Sequence, residues 1–448
     1  MTKNFIISFL LVAFSWLLGQ PYQSFFLDDW ESKEIEMPQS IDAEKPLGAA
    51  TVSVTMDVAD TVTRVCKYIF GNNANTWSGK MHNHKALVTN ISNMKPNVIR
   101  YPGGNLSSDF FWNREQNDRP DDIPKTINPW YGMTQENWIM AVDDFYLLLQ
   151  KTNSVGIITV NYSYARYGLS KNPVEKAAHL AAEWVRYDAG RTTFWEIGNE
   201  NFGNWQSGYE IDVNQNQDGQ PKRISGDLYG KHALVFIDSM RSAAAEISHE
   251  IKIGVQTFEA ETSWDPVQTD WNEKMFAVIG NAADFFIVHN YYTNYDEDSN
   301  AQTILATFNK SASFKKAVYK DAVDAGVEPK PLSLTEWNIF AVRSMQQVSH
   351  INGLHASLVL GQLIQDEYGS AMRWDLANGW GNGDDHGTFS RADEPGVPEF
   401  SPRPVFYHMT YFQKYFGDVM VSTRVSGSRD LIAFASSFSN GPAGIVVV

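Results

Sequence analysis

The sequence predicts an α/β fold: a (β/α)8 or TIM barrel, with a partial C-terminal β-sandwich that includes an N-terminal strand. Three observations support this prediction. Eight short apolar segments alternate with longer helical patterns between residues 67 and 417. Polar residues follow nearly every apolar segment, as expected where barrel strands end in a cleft. Short strand patterns also lie before and after this region, outside the alternation.

The eight strand patterns are short and apolar, and a helical pattern follows most of them. Strands are predicted at 67–71, 98–105, 156–161, 194–200, 251–257, 283–291, 331–338 and 371–375, with helices over ranges such as 135–152, 173–189, 228–248 and 348–367. This alternation is typical of parallel sheets. An open doubly wound sheet is the rival, but Tyr101-Pro102-Gly103-Gly104-Asn105 is not the glycine-rich phosphate turn of a nucleotide-binding sheet.

Domain boundaries follow from changes in composition. Lys3 precedes an apolar run over 5–18, so residues 1–20 are predicted to be a cleaved signal peptide of a secreted or periplasmic protein. Residues 21–50 are acidic and lack periodicity, which predicts a flexible leader. The catalytic barrel is predicted over 61–417. A strand at 51–60 is expected to join residues 418–448 in a β-sandwich, which has too few strands to be complete.

Composition narrows the possible partners. The formal net charge of −16 argues against nucleic acid and against an anionic membrane surface, so no membrane contact beyond export is expected. Cys66 is the only cysteine, so an intrachain disulfide and a thiolate metal cluster are both excluded. The 14 Trp, 19 Tyr and 26 Phe suit either a core or a carbohydrate site. The oligomeric state stays open.

Two predicted strands end in a carboxylate. Phe194-Trp195-Glu196-Ile197-Gly198-Asn199 leads into Glu200, and a second apolar strand over 331–335 leads into Glu336. Two carboxyl groups about 5 Å apart can hydrolyse a glycosidic bond with retention, whereas a separation nearer 8 Å indicates inversion. The alternative is that each glutamate lies in a loop salt bridge, because a single short motif is weak evidence.

The remaining strand ends present polar and aromatic side chains to the same mouth. On the barrel interpretation these are Arg100, Asn105, Asn161, Asn199, His289, Tyr291 and Trp374. Their distribution over nearly every strand favours a site. For Arg100 a buried ion pair inside the barrel is the alternative, and for His289 it is a hydrogen-bonded core histidine.

Four ordered motifs resemble a known clan. They are Ile99-Arg100-Tyr101-Pro102-Gly103-Gly104-Asn105, Trp195-Glu196-Ile197-Gly198-Asn199-Glu200, His289-Asn290-Tyr291 and Thr335-Glu336-Trp337. Together they resemble the retaining (β/α)8 glycoside hydrolases with catalytic glutamates on strands four and seven, and most of all the α-L-arabinofuranosidases. The resemblance implies that Glu200 is the acid/base and Glu336 the nucleophile.

The same resemblance implies substrate-binding roles. Asn199 would contact the sugar 2-hydroxyl, while Arg100 and Tyr291 would keep the nucleophile ionised and aimed. His289 and Asn105 would line the sugar subsite. Trp374 is a further candidate for substrate binding because it lies at the end of the last predicted strand. The substrate would be a plant or algal poly- or oligosaccharide.

One departure from the arabinofuranosidase pattern affects the substrate. Asn75 stands where these enzymes usually carry a sugar-binding glutamate after the first strand. An endo-glycanase of the agarase or porphyranase type is therefore an alternative, and a non-catalytic carbohydrate-binding barrel is a second. A metal-dependent hydrolase is disfavoured because no histidine pair at ligand spacing is found at the strand ends.

No cofactor is expected, with one exception. Oxygen-bearing side chains alternate from Asp212 to Asp218 and are followed by Gly219, like the first half of a calcium loop. Counted from Asn214, the twelfth position is Ser225 rather than a bidentate glutamate. A polar turn is the alternative, and the Asp384-Asp385-His386 segment is interpreted in the same way, as a solvated loop.

Overall fold

The computed structural model describes residues 22–35, 39, 41–45, 47–340, 344–441 and 443–447. The predicted signal peptide at 1–20 lies outside the described residues. The strands are β1 (Ser53–Arg64), β2 (Gly71–Asn73), β3 (Val98–Tyr101), β4 (Phe110–Phe111), β5 (Trp130–Tyr131), β6 (Val155–Val160), β7 (Phe194–Ile197), β8 (Lys252–Gln256), β9 (Phe285–Tyr291), β10 (Leu332–Asn338), β11 (Ser370–Arg373), β12 (Val419–Ser426), β13 (Ala433–Ser437) and β14 (Ala443–Val447).

Helices separate most of the strands. The α-helices span Lys85–Met94, Val142–Thr152, Tyr164–Tyr167, Pro173–Asp188, Gly226–Glu246, Pro266–Thr269, Trp271–Ile279, Ala301–Ala306, Lys310–Asp324, His350–Gln365 and Pro404–Tyr415. Short 3₁₀ turns span Ser24–Leu27, Lys67–Ile69, Thr76–Ser78, Met81–Asn83, Asn105–Asp109 and Gly381–Gly383. Among the described helices, none has the length and apolar character needed to cross a bilayer.

The predicted barrel is confirmed. Strands β2, β3 and β6 to β11 form a closed barrel in chain order, and β11 pairs in parallel with β2 to close it. All four residues of β3, β7 and β11 are buried, as expected for strands covered on both faces. The order makes β7 the fourth barrel strand and β10 the seventh, so Glu200 and Glu336 lie at the predicted positions.

The first barrel strand begins later than the sequence pattern indicates. Residues 67–69 form a 3₁₀ turn, and β2 starts only at Gly71. A Cβ atom at Gly71 would lie 2.4 Å from the backbone oxygen of Ala371, so β2 and β11 can approach only at a glycine. The apolar residues before Gly71 pack under the barrel and gave a strand pattern without forming a strand.

A separate antiparallel sheet combines both ends of the chain. Its order is β1-β12-β13-β14, so the N-terminal strand joins the C-terminal segment as predicted. Strand β1 runs to Arg64 and not to residue 60, because it pairs with β12 along the strand, with register shifts after Asp57 and Thr61.

The prediction of a flexible leader over 21–50 is wrong for residues 22–35. Phe26 is 1% exposed and packs against Tyr68, Phe194 and Phe285 at the amino-terminal end of the barrel. Gln23 Nε2 donates a hydrogen bond to the Tyr368 backbone oxygen. The acidic composition of the segment gave no sign of these buried residues. The described residues from 39 to 50 are exposed.

Candidate active site

The two strand-end glutamates meet at the carboxyl end of the barrel. Glu200 follows β7, and Glu336 lies within β10. One oxygen of each carboxylate and a ring nitrogen of His289 all lie within 4.8 Å of one another. Glu200 has a φ of 43°, a left-handed conformation that is uncommon outside glycine and often found at functional sites. The turn after β7 therefore turns its carboxylate toward Glu336.

Glu336 is held by a cation and a phenol. Arg100 Nη1 lies 3.2 Å from Glu336 Oε2, and the Tyr291 hydroxyl donates to Oε1 at 2.7 Å. The Tyr291 ring stacks on Phe340 with 4.2 Å between ring centroids. Glu336 is only 5% exposed. One of its oxygens is thus positioned by Tyr291 on the adjacent strand β9, and the other by Arg100 on β3, which does not pair with β10.

Arg100 is the centre of a buried network. Its Nε donates to Glu196 Oε2 at 2.6 Å and its Nη2 to Asn199 Oδ1 at 2.7 Å, while Asn73 Oδ1 accepts from Nη1 at 3.1 Å. Burial acts to lower the pKa of Arg100, but Glu196 and Glu336 raise it, so the guanidinium stays charged. Arg100 therefore forms a buried ion pair with Glu196 and also contacts Glu336.

Glu200 has different partners. Oε1 lies 3.0 Å from His289 Nδ1, and Trp205 Nε1 donates to Oε2 at 2.6 Å. The other ring nitrogen of His289 lies 2.9 Å from the hydroxyl of Thr335. His289 is 4% exposed and also lies 3.8 Å from Glu336 Oε2. The two glutamates thus share His289 but otherwise contact different groups.

These surroundings shift the two carboxyl groups in opposite directions. Burial and the Glu200 charge raise the pKa of Glu336, against the lowering effects of His289, Arg100 and Tyr291. Burial also acts to raise the pKa of Glu200, but the hydrogen bond and charge of His289, with Trp205 and Arg100, lower it. Because the groups interact closely, protons belong to the Glu200–His289–Glu336 cluster as a whole.

The structure brings together most of the residues predicted for the site. One network of hydrogen bonds and ionic contacts joins Glu200, Glu336, Arg100, Asn199, His289 and Tyr291. Asn199 is buried, and its Nδ2 has no partner among the described residues, which leaves a donor next to Glu200 in the chain.

Asn105 and Trp374 lie apart from this network. Asn105 is exposed and accepts a hydrogen bond from Gln206 Nε2 at 2.6 Å. Trp374 is 9% exposed and lies against the glycine pair after β3, where a Cβ at Gly104 would be 2.4 Å from its ring. Neither residue has a hydrogen bond to the two glutamates in the described part of the chain.

Sequence reasoning missed three residues around the pair. Glu196 and Asn73 hold Arg100, and Glu259 lies after β8 with Oε1 accepting from Asn290 Nδ2 at 2.8 Å. Burial raises the pKa of Glu259 to about 7, and the nearby Glu200 adds to the increase. A carboxylate inside an apolar strand was the available signal for Glu196, because such a group needs a buried partner.

Asn75 and Asp375 form a second buried polar contact. It is fully buried and donates a hydrogen bond to Asp375, which follows β11. Burial raises the pKa of Asp375 well above its ordinary value, and the neighbouring Asp385 adds to the increase. The substitution at position 75 thus produces an amide–carboxyl pair between the first and last barrel strands.

The segment Asp212–Asp218 forms a turn held by its own side chains. Asp212 accepts hydrogen bonds from Asn214 and Gln215, and Asp218 accepts from Asn216 and Gln220. Within the described ranges, the one group of three carboxylate or imidazole ligands is Glu200, His289 and Glu336. The calcium hypothesis therefore gains no support from this turn, and it stays a prediction.

Together, the barrel, the added sheet and the glutamates of strands four and seven define a (β/α)8 protein with two carboxylates at the mouth of the barrel. No family model matches the chain. The intracellular exo-alpha-(1->5)-L-arabinofuranosidase 1 of Bacillus subtilis is 25% identical over 270 residues, which cover 57% of this chain and 49% of that protein. The chain therefore spans about half the length of the curated relatives it matches.

Solved structures agree on the fold. An alpha-L-arabinofuranosidase from Thermotoga maritima, crystallised with arabinose, superposes with a TM-score of 0.64 at 18% identity, covering 89% of this chain and 85% of that chain. A bifunctional glucanase-xylanase from a metagenome library gives a TM-score of 0.58 at 12% identity, covering 88% and 87%. The resemblance inferred from the four motifs is thus confirmed.

Proposed function

We propose that the protein is a retaining glycoside hydrolase of the arabinofuranosidase type, acting on plant or algal poly- or oligosaccharides. The observation that carries this proposal is the spacing of the two carboxylates, which have oxygens within 4.8 Å of each other. That spacing suits a nucleophile and an acid/base acting on one carbon and leaves no room for the water that inversion places between them.

In the first step, the Glu336 carboxylate forms a bond to the anomeric carbon while the bond to the leaving-group oxygen breaks. Glu200 gives its proton to that oxygen. In the second step, Glu200 takes a proton from water, the water oxygen bonds to the anomeric carbon, and Glu336 is released. Arg100 and Tyr291 orient Glu336, and the free Nδ2 of Asn199 is a donor for a sugar hydroxyl.

The acid role requires a proton on Glu200, although its surroundings lower its pKa. The 3.0 Å contact with His289 supplies one. A charged His289 beside an ionised Glu200 differs from a neutral pair only by the position of one proton along that bond. When a leaving-group oxygen binds at Glu200, the proton can pass to it through the carboxyl group, so the Glu200–His289 pair acts as the acid.

Role-specific variants test this proposal. With a nitrophenyl α-L-arabinofuranoside, Glu336→Ala is expected to lose about 10³-fold or more in kcat, since the nucleophile is gone. In kcat/KM, which reports the first step, Glu200→Ala is expected to lose about 10²- to 10⁴-fold on arabinan or arabinoxylan but far less on the nitrophenyl substrate, because nitrophenolate leaves without protonation. Glu328→Ala, at an exposed surface ion pair, is the control. Equal losses on both substrates in Glu200→Ala would contradict its role.

An endo-acting glycanase is the second candidate. It is favoured by Asn75, which departs from the arabinofuranosidase pattern and donates a hydrogen bond to Asp375. The product profile separates the two candidates. Single arabinose units support the first, whereas oligosaccharides from agarose, porphyran or β-glucan, with the nitrophenyl substrate intact, support the second. Specific binding of these polymers without turnover by the wild-type protein would favour a carbohydrate-binding barrel.

We also propose export to the periplasm or the medium. The support is the apolar run over 5–18 after Lys3, which suits a signal peptide. The curated relatives are named as intracellular enzymes, which is the opposing argument. N-terminal sequencing of the protein from the periplasmic, medium and cytosolic fractions decides between them, and an intact Met1 in the cytosol would contradict export.

A further inference from the structure

A cavity of about 840 Å³ opens beside the loop that carries Glu200. Its walls come from the loops that follow the second, third, fourth and fifth barrel strands, and they include Ile127, Tyr167, Gln206 and Trp264. All four loops lie at the carboxyl end of the barrel, where the two catalytic candidates meet. The volume is in the range of about 300–1,000 Å³ that is usual for small-ligand sites.

The cavity lies beside the loop of the proposed acid/base. Trp205 donates its indole N–H to Glu200 Oε2 at 2.6 Å, and its chain neighbours Asn204 and Gln206 both line the cavity. Trp205 lies over Gly203, where a Cβ would be 2.4 Å from the indole ring. The group that protonates the departing oxygen lies on the leaving-group side of the cleaved bond. The loop that carries this group also lines the cavity, so a chain that extends on the leaving-group side can reach the cavity.

Trp264 is an exposed aromatic residue in this cavity. It is 83% exposed, whereas Trp184, Trp195, Trp271 and Trp337 are fully buried. Polar groups of Gln206, Asp212 and Arg223 lie around the same cavity. An apolar surface with a polar rim is typical of a binding site. A sugar ring has the matching chemistry, with an apolar face for the indole and hydroxyls for the rim.

The backbone on both sides of Trp264 is fixed. The Asp265 carboxylate accepts hydrogen bonds from the Tyr209 hydroxyl at 2.9 Å and from the backbone N–H of Val267 at 2.8 Å. Thr269 Oγ1 donates to the backbone oxygen of Ser263 at 2.8 Å. The exposed indole is thus carried by an ordered turn, which reduces the entropy that binding would cost.

We propose that this cavity binds the leaving-group part of a carbohydrate chain, with Trp264 as the stacking surface for a sugar unit beyond the first. The proposal rests on the proposed function and adds to it a preference for oligomeric substrates.

A chain-length series tests it. Wild-type kcat/KM is expected to rise from arabinobiose to arabinotetraose, as additional units reach the cavity. In Trp264→Ala this rise is expected to be lost, with KM for arabinotetraose higher by about five- to tenfold, the size of one aromatic contact. Hydrolysis of the nitrophenyl α-L-arabinofuranoside should stay within about twofold of wild type, since its leaving group is a single small ring.

Two variants control the experiment. Trp264→Phe keeps a stacking ring and should restore most of the chain-length effect. Tyr411→Ala removes a 58% exposed ring from the helix Pro404–Tyr415 and should leave the series unchanged. A chain-length effect that persists in Trp264→Ala, or an equal loss on the nitrophenyl substrate, overturns the proposal.

Binding without turnover separates this inference from the proposed function. Calorimetric titrations with arabinotetraose and xylotetraose apply even if the wild type hydrolyses neither substrate. If the wild type hydrolyses neither tetrasaccharide but binds one, and Trp264→Ala binds it more weakly, the proposed function is contradicted and the binding site is supported. Binding that is unaffected by Trp264→Ala, or not detectable in the wild type, overturns the site.

Discussion

At the scale of single residues, Glu259 is a third carboxyl group close to the catalytic pair, and its protonation links stability to pH. Burial raises its pKa to about 7 from an ordinary 4.5. Between these values the unfolded chain ionises Glu259 while the folded chain keeps its proton. The free energy of unfolding therefore falls as pH rises through this window, and the penalty is complete above pH 7.

We predict that Glu259→Gln removes this penalty. The variant should gain about 3 kcal/mol in the free energy of unfolding, relative to wild type, at pH 7.5 compared with pH 4.5. Urea denaturation at both pH values measures the difference, with Glu328→Gln as an exposed control. If the free energies of unfolding of variant and wild type differ by the same amount at both pH values, the raised pKa of Glu259 is contradicted.

Glu196 offers a second test, because it holds Arg100 rather than the substrate. Glu196→Gln leaves Arg100 with one carboxylate partner, and we expect a loss of about 2–4 kcal/mol in stability. Arg100 should then interact more strongly with Glu336 and lower its pKa, which moves the acid limb of the pH–activity profile to lower pH. A purely structural role for Glu196 would leave that limb unchanged.

The matched control for Glu196 is a surface ion pair. Glu183 accepts from Arg186 at 2.7 Å on an exposed helix face. Glu183→Gln should cost less than about 1 kcal/mol and should leave the pH profile as in wild type. A comparable loss of stability in both variants would mean that burial does not increase the contribution of the Arg100–Glu196 ion pair to stability.

The residues of the site also show how much of it the sequence could predict. Glu200, Glu336, Arg100, His289 and Tyr291 were found because each ends or follows an apolar strand, and strand ends meet in a barrel. Glu196 and Asn73 were missed, since their roles depend on which strands face each other inside the barrel. The effect of His289 on Glu200 depends on a 3.0 Å contact between strands, which spacing along the chain does not encode.

At the scale of elements, the segment 22–27 closes the amino-terminal end of the barrel. Phe26 contributes a fully buried ring among Tyr68, Phe194 and Phe285. Periodicity could not predict this, because a single 3₁₀ turn of Ser24–Leu27 is too short to repeat a pattern. The same limit explains the misplaced start of β2, which depends on the contact between Gly71 and Ala371.

We predict that Phe26→Ala lowers the stability of the whole barrel by about 3–5 kcal/mol, through lost apolar contact and the cavity that remains. Tyr22→Ala, in the same segment but 47% exposed, should cost less than about 1 kcal/mol. Thermal unfolding followed by circular dichroism measures both. If Phe26→Ala unfolds like wild type, the segment is not part of the folded barrel.

At the scale of the whole molecule, the alternation of strands and helices was sufficient to predict the barrel, since each unit is local in sequence. The pairing of β1 with β12 joins residues such as Ser53 and Ser426, and no local pattern carries that information. Strand patterns at 51–60 and 418–448, outside the alternation, predicted a shared sheet but not this register. The sequence patterns also could not show how closely the added sheet packs on the barrel.

That packing depends on Gly361 in the helix His350–Gln365. A Cβ at this position would lie 2.3 Å from the ring of Phe434 in β13, and Phe434 is 4% exposed. Gly361→Ala should therefore destabilise the protein by displacing the ring, although alanine favours a helix by about 1 kcal/mol over glycine. Phe434→Ala should cost about 3–5 kcal/mol by leaving a cavity.

The double variant determines whether barrel and sheet are one cooperative unit. In Gly361→Ala/Phe434→Ala the new methyl group enters the space left by the ring, so the total loss should be smaller than the sum of the single losses by about 1–3 kcal/mol. Urea denaturation followed by fluorescence and by circular dichroism should give coincident single transitions. Additive losses would mean that Gly361 and Phe434 do not interact, and two separate transitions would mean that the sheet and the barrel fold independently.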